Sequence, residues 1–464
     1  MTIWPPKKSE LTRPVYRSLA NALLRAIENG DFTIGDRLPT HRDLAYDLDI
    51  SIQTVSRAYE ELIRVGAIAG EVGRGSYVLG SQSDTKTSHF YLPADQRNKL
   101  IDFSILKPVC EQIHIDAMRA ALRNLSDNLP ADVVLSFRPT ATRHPYLEQA
   151  KNWLQICGLD VAANSILLTN GSTASMTVAL MTAARPGDHI VTEDFGHHTL
   201  RPLTGYLGLK LSGCATDEEG LVPEELERFC LAHHPKALYT MPDGLNPKAR
   251  IMGLSRRKDI AELARKYDFT IIENDAWGPI QPDRLPPIAS LAPDRVLYFT
   301  GLSKCVMPGL RTGYLVMPDS LAAAARNRHL VTNWMATAMS VEIATRWIAD
   351  GTAVKLLEWQ KSALATRNSL VARHFSNVDY LASPHGMHIW LPLPQYWGEE
   401  AFVAQLRENG VAVGPGSAFA VDAGKVANAV RICLGPTSQE ELVNGLSVVR
   451  SLLMRQPDLD SIHL

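Results

Sequence analysis

The sequence of 464 residues has few of the features that would assign it to a class at once. Its six cysteines form no C-x-x-C pair and none lies at zinc-ligand spacing from histidine, which favours a reducing, cytoplasmic compartment over a zinc or disulfide scaffold. Lysine plus arginine (47) and aspartate plus glutamate (49) nearly balance, so the whole chain has no basic signature. No apolar run reaches about 18 residues and the N-terminus has no apolar core, so we expect neither a membrane span nor export.

Three regions differ in composition. Residues 11–80 are rich in helical patterning, residues 81–100 are polar and without periodicity, and residues 101–464 alternate short apolar runs with amphipathic stretches. The chain is too long for one hydrophobic core, so we predict a helical head, a linker and a large body. A flexible linker of about twenty residues has a typical span of roughly 25 Å, which would let the head sit away from the body.

The body has the pattern of a large α/β domain with a smaller α+β subdomain. Buried parallel strands are expected at 165–169, 189–192, 237–241, 269–273 and 295–300. We place the large subdomain at about 140–325, and the small one at about 326–464 with part of 101–139.

The head has the pattern of three helices followed by a hairpin. Thr40 is expected to cap the second helix, and the third helix should turn Val55, Ala58, Leu62 and Ile63 inward. Two short helices joined by a tight turn, the second with small polar residues and an arginine near its start, fit a major groove. The expected DNA contacts are Arg42, Ser51, Gln53, Thr54 and Arg57 on the helices and Arg74 on the hairpin wing.

A plain three-helix bundle with a hairpin is the alternative for this head, because its basic and acidic residues nearly balance. However, the runs DRLPTHRDLA, TVSRAYEEL and GRGSYV resemble the GntR family of winged-helix repressors over most of residues 11–80. The resemblance implies that the head is a winged helix-turn-helix that binds DNA.

The run FTGLSKCVMPGLRTGY, residues 299–314, follows a predicted strand. It resembles the lysine loop of fold-type I enzymes that use pyridoxal 5′-phosphate (PLP). This resemblance implies that Lys304 forms the internal aldimine with PLP, and that Ser303 and Arg311 face its phosphate. An ordinary surface loop is the alternative, but the complete spacing from S-K to R-x-G-Y argues against it.

A second strand-to-helix turn, LTNGSTAS at 168–175, fits the other half of a phosphate cradle. Gly171 permits a tight turn, and the backbone amides of Ser172 and Thr173 would point from the helix N-terminus at the phosphate. Alone this is a generic turn; together with Lys304 and Arg311 it becomes the expected partner of the lysine loop.

The same resemblance implies contacts to the PLP ring. His197 falls where the family has a stacking Tyr or Trp, although a lone histidine in a loop is as often a solvated bystander. Asn246, in an Asn-Pro motif, would hydrogen-bond the 3′-oxygen.

The family's aspartate at the pyridine nitrogen falls on Asn274, and a one-residue shift would place Asp275 there instead. Neighbouring strand residues point to opposite faces, so only one of the two can serve.

An asparagine at this position could only hydrogen-bond a neutral pyridine, so we expect slow transamination if Asn274 is the residue at the pyridine nitrogen.

Near the C-terminus, the run AVRICLG resembles the strand that supplies an arginine for a substrate α-carboxylate, which implies that role for Arg431.

Head, linker and body together resemble the MocR subfamily of GntR regulators over nearly the whole chain. The resemblance implies a homodimeric, DNA-binding transcription regulator that senses a small amine or amino acid by transaldimination at Lys304. A working aminotransferase with a DNA-binding head is the alternative, and a scaffold that has lost PLP is a third reading, which the intact Lys304, Arg311 and Ser172 disfavour.

Overall fold

The computed structural model of the chain describes residues 6–28, 31–32, 36–64, 67–71, 75–78, 100–137, 144–422 and 425–455. The chain divides into two compact units, Met1–Leu92 and Pro93–Leu464. The first unit contains residues 11–80 and the second contains residues 101–464, and we call them the head and the body.

The head consists of three helices and an antiparallel hairpin. Its elements are α1 (Val15–Glu28), α2 (His41–Asp47), α3 (Ile52–Arg64), β1 (Ile68–Glu71) and β2 (Gly75–Val78). The Thr40 side chain accepts a hydrogen bond from the Asp43 amide and so caps α2 as predicted. Leu19 and Leu23 of α1 pack with the inward residues of α3 in one core.

One residue of the predicted head core faces the other way. Val55, Ala58 and Leu62 are buried, but Ile63 is 47% exposed, and its assignment to the core was wrong. Each helical residue turns the side-chain direction by about 100°, so the neighbour of a buried Leu62 is carried off the inward face. Arg74 lies outside the described residues.

The helices of the body are α4 (Gln112–Asn128), α5 (Ala131–Leu135), α6 (His144–Ile156), α7 (Ser172–Ala183), α8 (Leu200–Tyr206), α9 (Pro223–His233), α10 (Leu254–Tyr267), α11 (Ile288–Leu291), α12 (Asp319–Asn333), α13 (Ala338–Ala349), α14 (Thr352–His374), α15 (Glu399–Glu408) and α16 (Gln439–Leu453). Among the helices of the described ranges, none has both the length and the apolar character needed to cross a bilayer.

The strands of the body are β3 (Ile101–Asp102), β4 (Ile166–Thr169), β5 (His189–Glu193), β6 (Lys210–Cys214), β7 (Thr216–Asp217), β8 (Gly220–Leu221), β9 (Ala237–Thr240), β10 (Asp243–Leu245), β11 (Arg250–Ile251), β12 (Thr270–Asp275), β13 (Val296–Gly301), β14 (Gly313–Val316), β15 (Leu381–Ala382), β16 (His388–Pro392), β17 (Val411–Ala412), β18 (Gly414–Pro415) and β19 (Ala429–Cys433).

The central sheet has seven strands in the order β4-β14-β13-β12-β9-β5-β6. The expected strands are all present, and the run from β13 through β12, β9 and β5 to β6 is parallel. The sheet is nevertheless mixed, because β14 lies antiparallel between β13 and β4. The prediction that β4 is a parallel strand was therefore wrong in its pairing: the short β14, which lies at the end of the lysine loop, had not been recognised as a strand.

A second sheet, in the order β15-β16-β19-β18, forms the small subdomain. The two cores meet along α14, whose Leu356, Leu357 and Leu364 belong to the large core and whose Val371 belongs to the small one. The large core continues beyond residue 325 through α13 and the first half of α14, and it also includes Met387. Upstream, the chain joins the small core at Phe103, and Val109 already belongs to the large core.

Candidate functional site

Lys304 lies on the loop that leaves the C-terminal end of the buried strand β13. Its Nζ donates to the carbonyl oxygen of Leu106. Burial lowers the pKa of the Lys304 amine to about 8; the Cys433 thiol opposes this, and the charges of Arg431 and Arg311 add to it. A lysine whose pKa lies near 8 has a substantial neutral fraction close to physiological pH, which is the nucleophilic form that attacks an aldehyde.

Two loops form an anion cradle beside this lysine. Arg311 donates from Nη1 to the Ser303 hydroxyl at 3.2 Å. Its guanidinium also lies against Gly171, where an added Cβ would stand 3.0 Å from Arg311 Nη2. Gly171 precedes the twelve-residue helix α7, whose first turn presents the backbone amides of Ser172 and Thr173. Arg311 and Thr173 are exposed, so the cradle is open to solvent on this side.

The close packing of β14 against β4 brings the two halves of the cradle together. An added Cβ at Gly313 would lie 2.7 Å from the Thr169 Oγ1 and 2.8 Å from the Gly171 carbonyl carbon. The glycine of the R-x-G-Y run therefore has a steric role, since a side chain there would push apart the loops that carry Arg311 and Ser172.

The two neighbours at the end of β12 have different partners. Asn274 donates from Nδ2 to the Tyr239 hydroxyl at 2.6 Å, and its Oδ1 accepts from the Ala276 amide at 2.9 Å. Asp275 is paired with Arg284, whose Nη2 and Nη1 reach its two oxygens at 2.6 and 3.2 Å, and it also accepts from the Tyr298 hydroxyl. Both Asp275 oxygens are thus engaged in a buried ion pair, whereas Asn274 keeps one amide hydrogen for a further acceptor.

His197 packs face to face with a second histidine that the sequence did not single out. The rings of His197 and His198 are stacked, with centroids 4.7 Å apart and planes inclined by 21°. Burial lowers the pKa of His197 to about 4, and the charges of Lys304 and Arg431 lower it further. At neutral pH His197 is therefore an uncharged ring beside the lysine.

A third histidine, His388 on β16, also belongs to this region. Its Nε2 lies 2.9 Å from the Pro247 carbonyl oxygen, and its ring stacks on Trp277 with centroids 5.6 Å apart. Burial lowers the pKa of His388 to about 3, with Arg431 and Lys304 contributing. It went unpredicted because nothing in its local sequence separates it from other strand residues.

Arg431 on β19 is fully buried. Its Nη1 donates to Asn246 Oδ1 at 3.0 Å and its Nη2 to the Ser104 carbonyl oxygen at 2.6 Å, while the guanidinium lies over the Phe419 ring at 4.6 Å. The predicted residues Asn246 and Arg431 are thereby brought together from distant parts of the chain. The acceptors of these two hydrogen bonds are both neutral oxygens.

In the head, the N-terminal end of α3 forms an open cleft with the start of α1. The cleft is lined by Val15, Tyr16, Ser51, Gln53, Thr54 and Arg57. The Arg57 guanidinium lies 5.9 Å from the centre of the Tyr16 ring. Four predicted DNA contacts therefore lie together, and Tyr16 was missed because its position in α1 carries no local signal.

Comparison with known families assigns both units of the chain. The family model for class I and II aminotransferases matches residues 114–448, and the model for bacterial regulatory proteins of the gntR family matches residues 15–78. These matches correspond to the body and to the head, respectively.

Relatives and solved structures agree with these matches. The chain is 26% identical to the HTH-type transcriptional regulator YdeF of Bacillus subtilis over 97% of this chain and 96% of that protein. It is 24% identical to the HTH-type transcriptional regulator YjiR of Escherichia coli over 91% of this chain and 96% of that protein. An archaeal alanine:glyoxylate aminotransferase structure covers 81% of this chain and 95% of its own, with a TM-score of 0.73 and 24% identity. A Pyrococcus horikoshii kynurenine aminotransferase covers 81% and 94%, with a TM-score of 0.72 and 22% identity.

Class I and II aminotransferases use PLP, and the residues of the pocket fit this group. Lys304 supplies an amine of lowered pKa for the aldehyde. The Arg311 side chain and the N-terminus of α7 suit a phosphate. In addition, the buried Asn246 Nδ2 has no hydrogen-bond partner among the described residues, so it can donate to an oxygen of a bound group.

We predict that Gly171→Ala weakens PLP binding by roughly tenfold, or about 1.4 kcal/mol. Gly171 has a φ of 82° and packs on the Arg311 guanidinium, so a methyl group strains the turn and displaces that side chain. Equilibrium dialysis against PLP measures the effect.

Gly187→Ala is the matched control, because Gly187 has a φ of 91° with nothing within 4 Å of an added Cβ. It should show the same backbone strain with unchanged PLP affinity. Equal losses of PLP affinity in both variants would contradict a role for Gly171 in the cradle.

Proposed function

The chain belongs to the class I and II aminotransferase family and carries a GntR-type DNA-binding domain, and we propose that it is a PLP-dependent transcription regulator whose body senses a small amine or amino acid. The single observation that carries this proposal is that Lys304, with its lowered pKa, and the buried cation Arg431 act on the same pocket. One suits an amine-exchanging cofactor, and the other suits a carboxylate.

Bound PLP supplies an aldehyde carbon that forms an imine with a primary amine. Sensing then consists of transaldimination, in which the effector amine takes the place of Lys304 and the released lysine amine stays enclosed in the pocket. Arg431 orients the effector through its carboxylate. The neutral rings of His197 and His388 add no charge, so the pocket favours a monocarboxylate over a dicarboxylic effector.

A bound effector regulates DNA binding only if it favours one arrangement of the body over another. We infer that the protein acts as a homodimer that places two heads on paired operator half-sites. In support, α5, the residues just after it and α12 present exposed apolar side chains: Leu135 is 80%, Phe137 77% and Val331 78% exposed. Trp334 holds part of this surface together by donating from Nε1 to the Phe137 carbonyl oxygen at 3.0 Å. An apolar surface of this kind is typical of an obligate subunit interface.

A working aminotransferase is the second candidate, because Lys304, Arg311 and Arg431 are all present. Its weakness is the end of β12. A pyridine nitrogen stays protonated beside a carboxylate, but the Asp275 carboxylate is engaged by Arg284 and Tyr298. With Asn274 as the neighbour of the ring nitrogen, the ring withdraws electrons only weakly. Amines then exchange on the cofactor, but their conversion to keto acids is slow.

The central experiment is borohydride reduction of the PLP-loaded protein followed by peptide mass mapping. The added mass is expected on Lys304, and Lys304→Ala should lose the visible absorbance of the bound cofactor, whereas the exposed Lys355→Ala keeps it. Unmodified Lys304 in the reduced wild-type protein would refute the sensing proposal.

The same preparation tests regulation. Titrating the PLP form with amino acids, with and without its promoter DNA, should give two different affinities for the effector. Linkage requires that the effector then change DNA affinity by the same factor. Identical titrations in both conditions would leave a PLP protein that does not regulate.

For the head, we predict that Arg57→Ala weakens operator binding by about 1–3 kcal/mol while PLP stays bound. The reason is that Arg57 stands in the cleft at the N-terminal end of α3. Arg25→Ala is the matched control, because Arg25 is exposed on α1 nine residues after Tyr16, roughly 13 Å along the helix. Gel-shift titration measures both, and an operator affinity unchanged by Arg57→Ala would contradict α3 as the recognition helix.

Asn274→Asp should raise the rate of single-turnover transamination by at least about tenfold, or about 1.4 kcal/mol of barrier, because a carboxylate keeps the pyridine nitrogen protonated. Conversion of an L-amino acid to its keto acid measures the rate. Asp275→Asn is the contrasting variant: it breaks the buried pair with Arg284 and should cost about 3–5 kcal/mol of stability. If Asn274→Asp leaves the rate unchanged, Asn274 does not face the ring nitrogen.

A further inference from the structure

The first residues of the body, Leu100 to Val109, run from the small subdomain into the cofactor pocket, and we call them the entry segment. Three backbone hydrogen bonds attach its start to the small subdomain. The amides of Ile101 and Phe103 donate to the carbonyl oxygens of Gly410 and Ala412 at 2.9 and 2.8 Å, and the Cys433 amide donates to the Phe103 carbonyl oxygen at 2.9 Å. In sequence, the segment continues directly from the predicted linker at 81–100.

The middle of the entry segment is held by the two cationic side chains of the proposed sensing site. Arg431 Nη2 donates to the Ser104 carbonyl oxygen at 2.6 Å, and Lys304 Nζ donates to the Leu106 carbonyl oxygen. The residues that would meet a ligand's carboxylate and amine therefore already bind two carbonyl groups of one short stretch of backbone.

Asp102 fixes the direction of the first of these carbonyl groups. Its Oδ1 accepts from the Ser104 amide at 2.8 Å and from the Ser104 hydroxyl at 2.6 Å. The resulting turn orients the Ser104 peptide so that its carbonyl faces Arg431. Asp102 touches neither Lys304 nor Arg431 through these bonds, and it orients the contact of Arg431 through the Ser104 peptide.

We propose that the entry segment is the element through which ligand occupancy of the pocket reaches the linker, with Asp102 as its positioning residue. This inference rests on the proposed function. A carboxylate binds a guanidinium by two parallel hydrogen bonds, through Nη1 and Nη2 or through Nε and Nη2. Either mode takes one of the two Nη2 hydrogens, so the carboxylate competes with the Ser104 carbonyl oxygen at that nitrogen. Binding of a carboxylate therefore weakens the hold of Arg431 on the segment and loosens its attachment to the small subdomain.

Two reagents distinguish the effect of a ligand's carboxylate from the effect of amine exchange at Lys304. The aminooxy nitrogen of aminooxyacetate replaces Lys304 Nζ on the PLP aldehyde carbon, its two hydrogens pass to the lysine nitrogen, and an oxime and a free lysine amine result. Methoxyamine undergoes the same exchange but has no carboxylate. Any effect of the freed lysine on Leu106 is common to both reagents, so the difference between them reports the contact with Arg431.

The experiment is hydrogen–deuterium exchange of the full-length, PLP-loaded protein with each reagent, followed on peptides that cover residues 100–106. With aminooxyacetate, we expect these amides to exchange at least threefold faster than with methoxyamine. Absorbance spectra establish that both oximes have formed. Equal exchange with the two reagents, once both oximes are complete, would overturn the role of the entry segment and leave the cofactor chemistry intact.

Asp102→Ala provides the test of positioning. The variant should form both oximes at the wild-type rate, but the difference in exchange between the reagents should disappear, because Ser104 is no longer held toward Arg431. Asp102→Asn keeps an Oδ1 acceptor and should restore the difference. A difference that persists in Asp102→Ala contradicts the role of Asp102.

If neither reagent forms an oxime in the wild-type protein, the proposed function fails and this inference fails with it.

Discussion

Burial of basic side chains is the constraint on which the cofactor pocket depends. Arg431 and Arg311 both lower the pKa of Lys304, and Lys304 and Arg431 together lower the pKa values of His197 and His388. Burial is the larger cause in each case, because a charge loses the solvation of water there. His197 and His388 are therefore neutral at physiological pH, and the Lys304 amine is partly neutral. The proposed preference for a carboxylate ligand thus rests on Arg431.

The acidic residues near this pocket are kept away from its cations by the alternation of a β-strand. At the end of β12, Asn274 bonds Tyr239, while the next residue, Asp275, pairs with Arg284 and Tyr298. Because successive side chains point to opposite faces, one position in sequence decides whether a carboxylate can serve the pocket. A buried ion pair such as Asp275–Arg284 is costly to open, since either partner alone would be an uncompensated buried charge. The strand thus fixes Asp275 in a structural role and leaves an amide in the neighbouring position.

The site residues predicted from the sequence lie in short motifs. Lys304, Ser303 and Arg311 belong to one run that resembles a known lysine loop, Gly171 and Ser172 mark a strand-to-helix turn, and Asn246 and Arg431 lie in two further short runs. His388, Ser104 and Leu106 could not be found in this way. His388 reaches the pocket only through the pairing of β16 with β19, and the other two act through backbone carbonyls, which every residue possesses. In the fold, β14 was not predicted because it is a short strand at the end of a loop motif. Four residues are too few to show a pattern from which antiparallel pairing could be predicted.

The covalent link between head and body limits how a ligand can move the heads. If residues 81–100 form the flexible linker that composition predicts, it would span roughly 25 Å, and five more residues would extend that span by only about 3 Å, since the span grows with the square root of length. A change in linker length would therefore alter the reach of the heads only slightly. Displacement of the anchor point would have a larger effect: release of residues 101–104 from the small subdomain would let the C-terminal end of the predicted linker move by up to roughly 13 Å, at about 3.3 Å per residue. Operator half-sites are spaced at about 34 Å, so a shift of that size is a large fraction of the distance two heads must match. Under the proposed function, regulation would thus depend more on where the body holds the predicted linker than on how long that linker is.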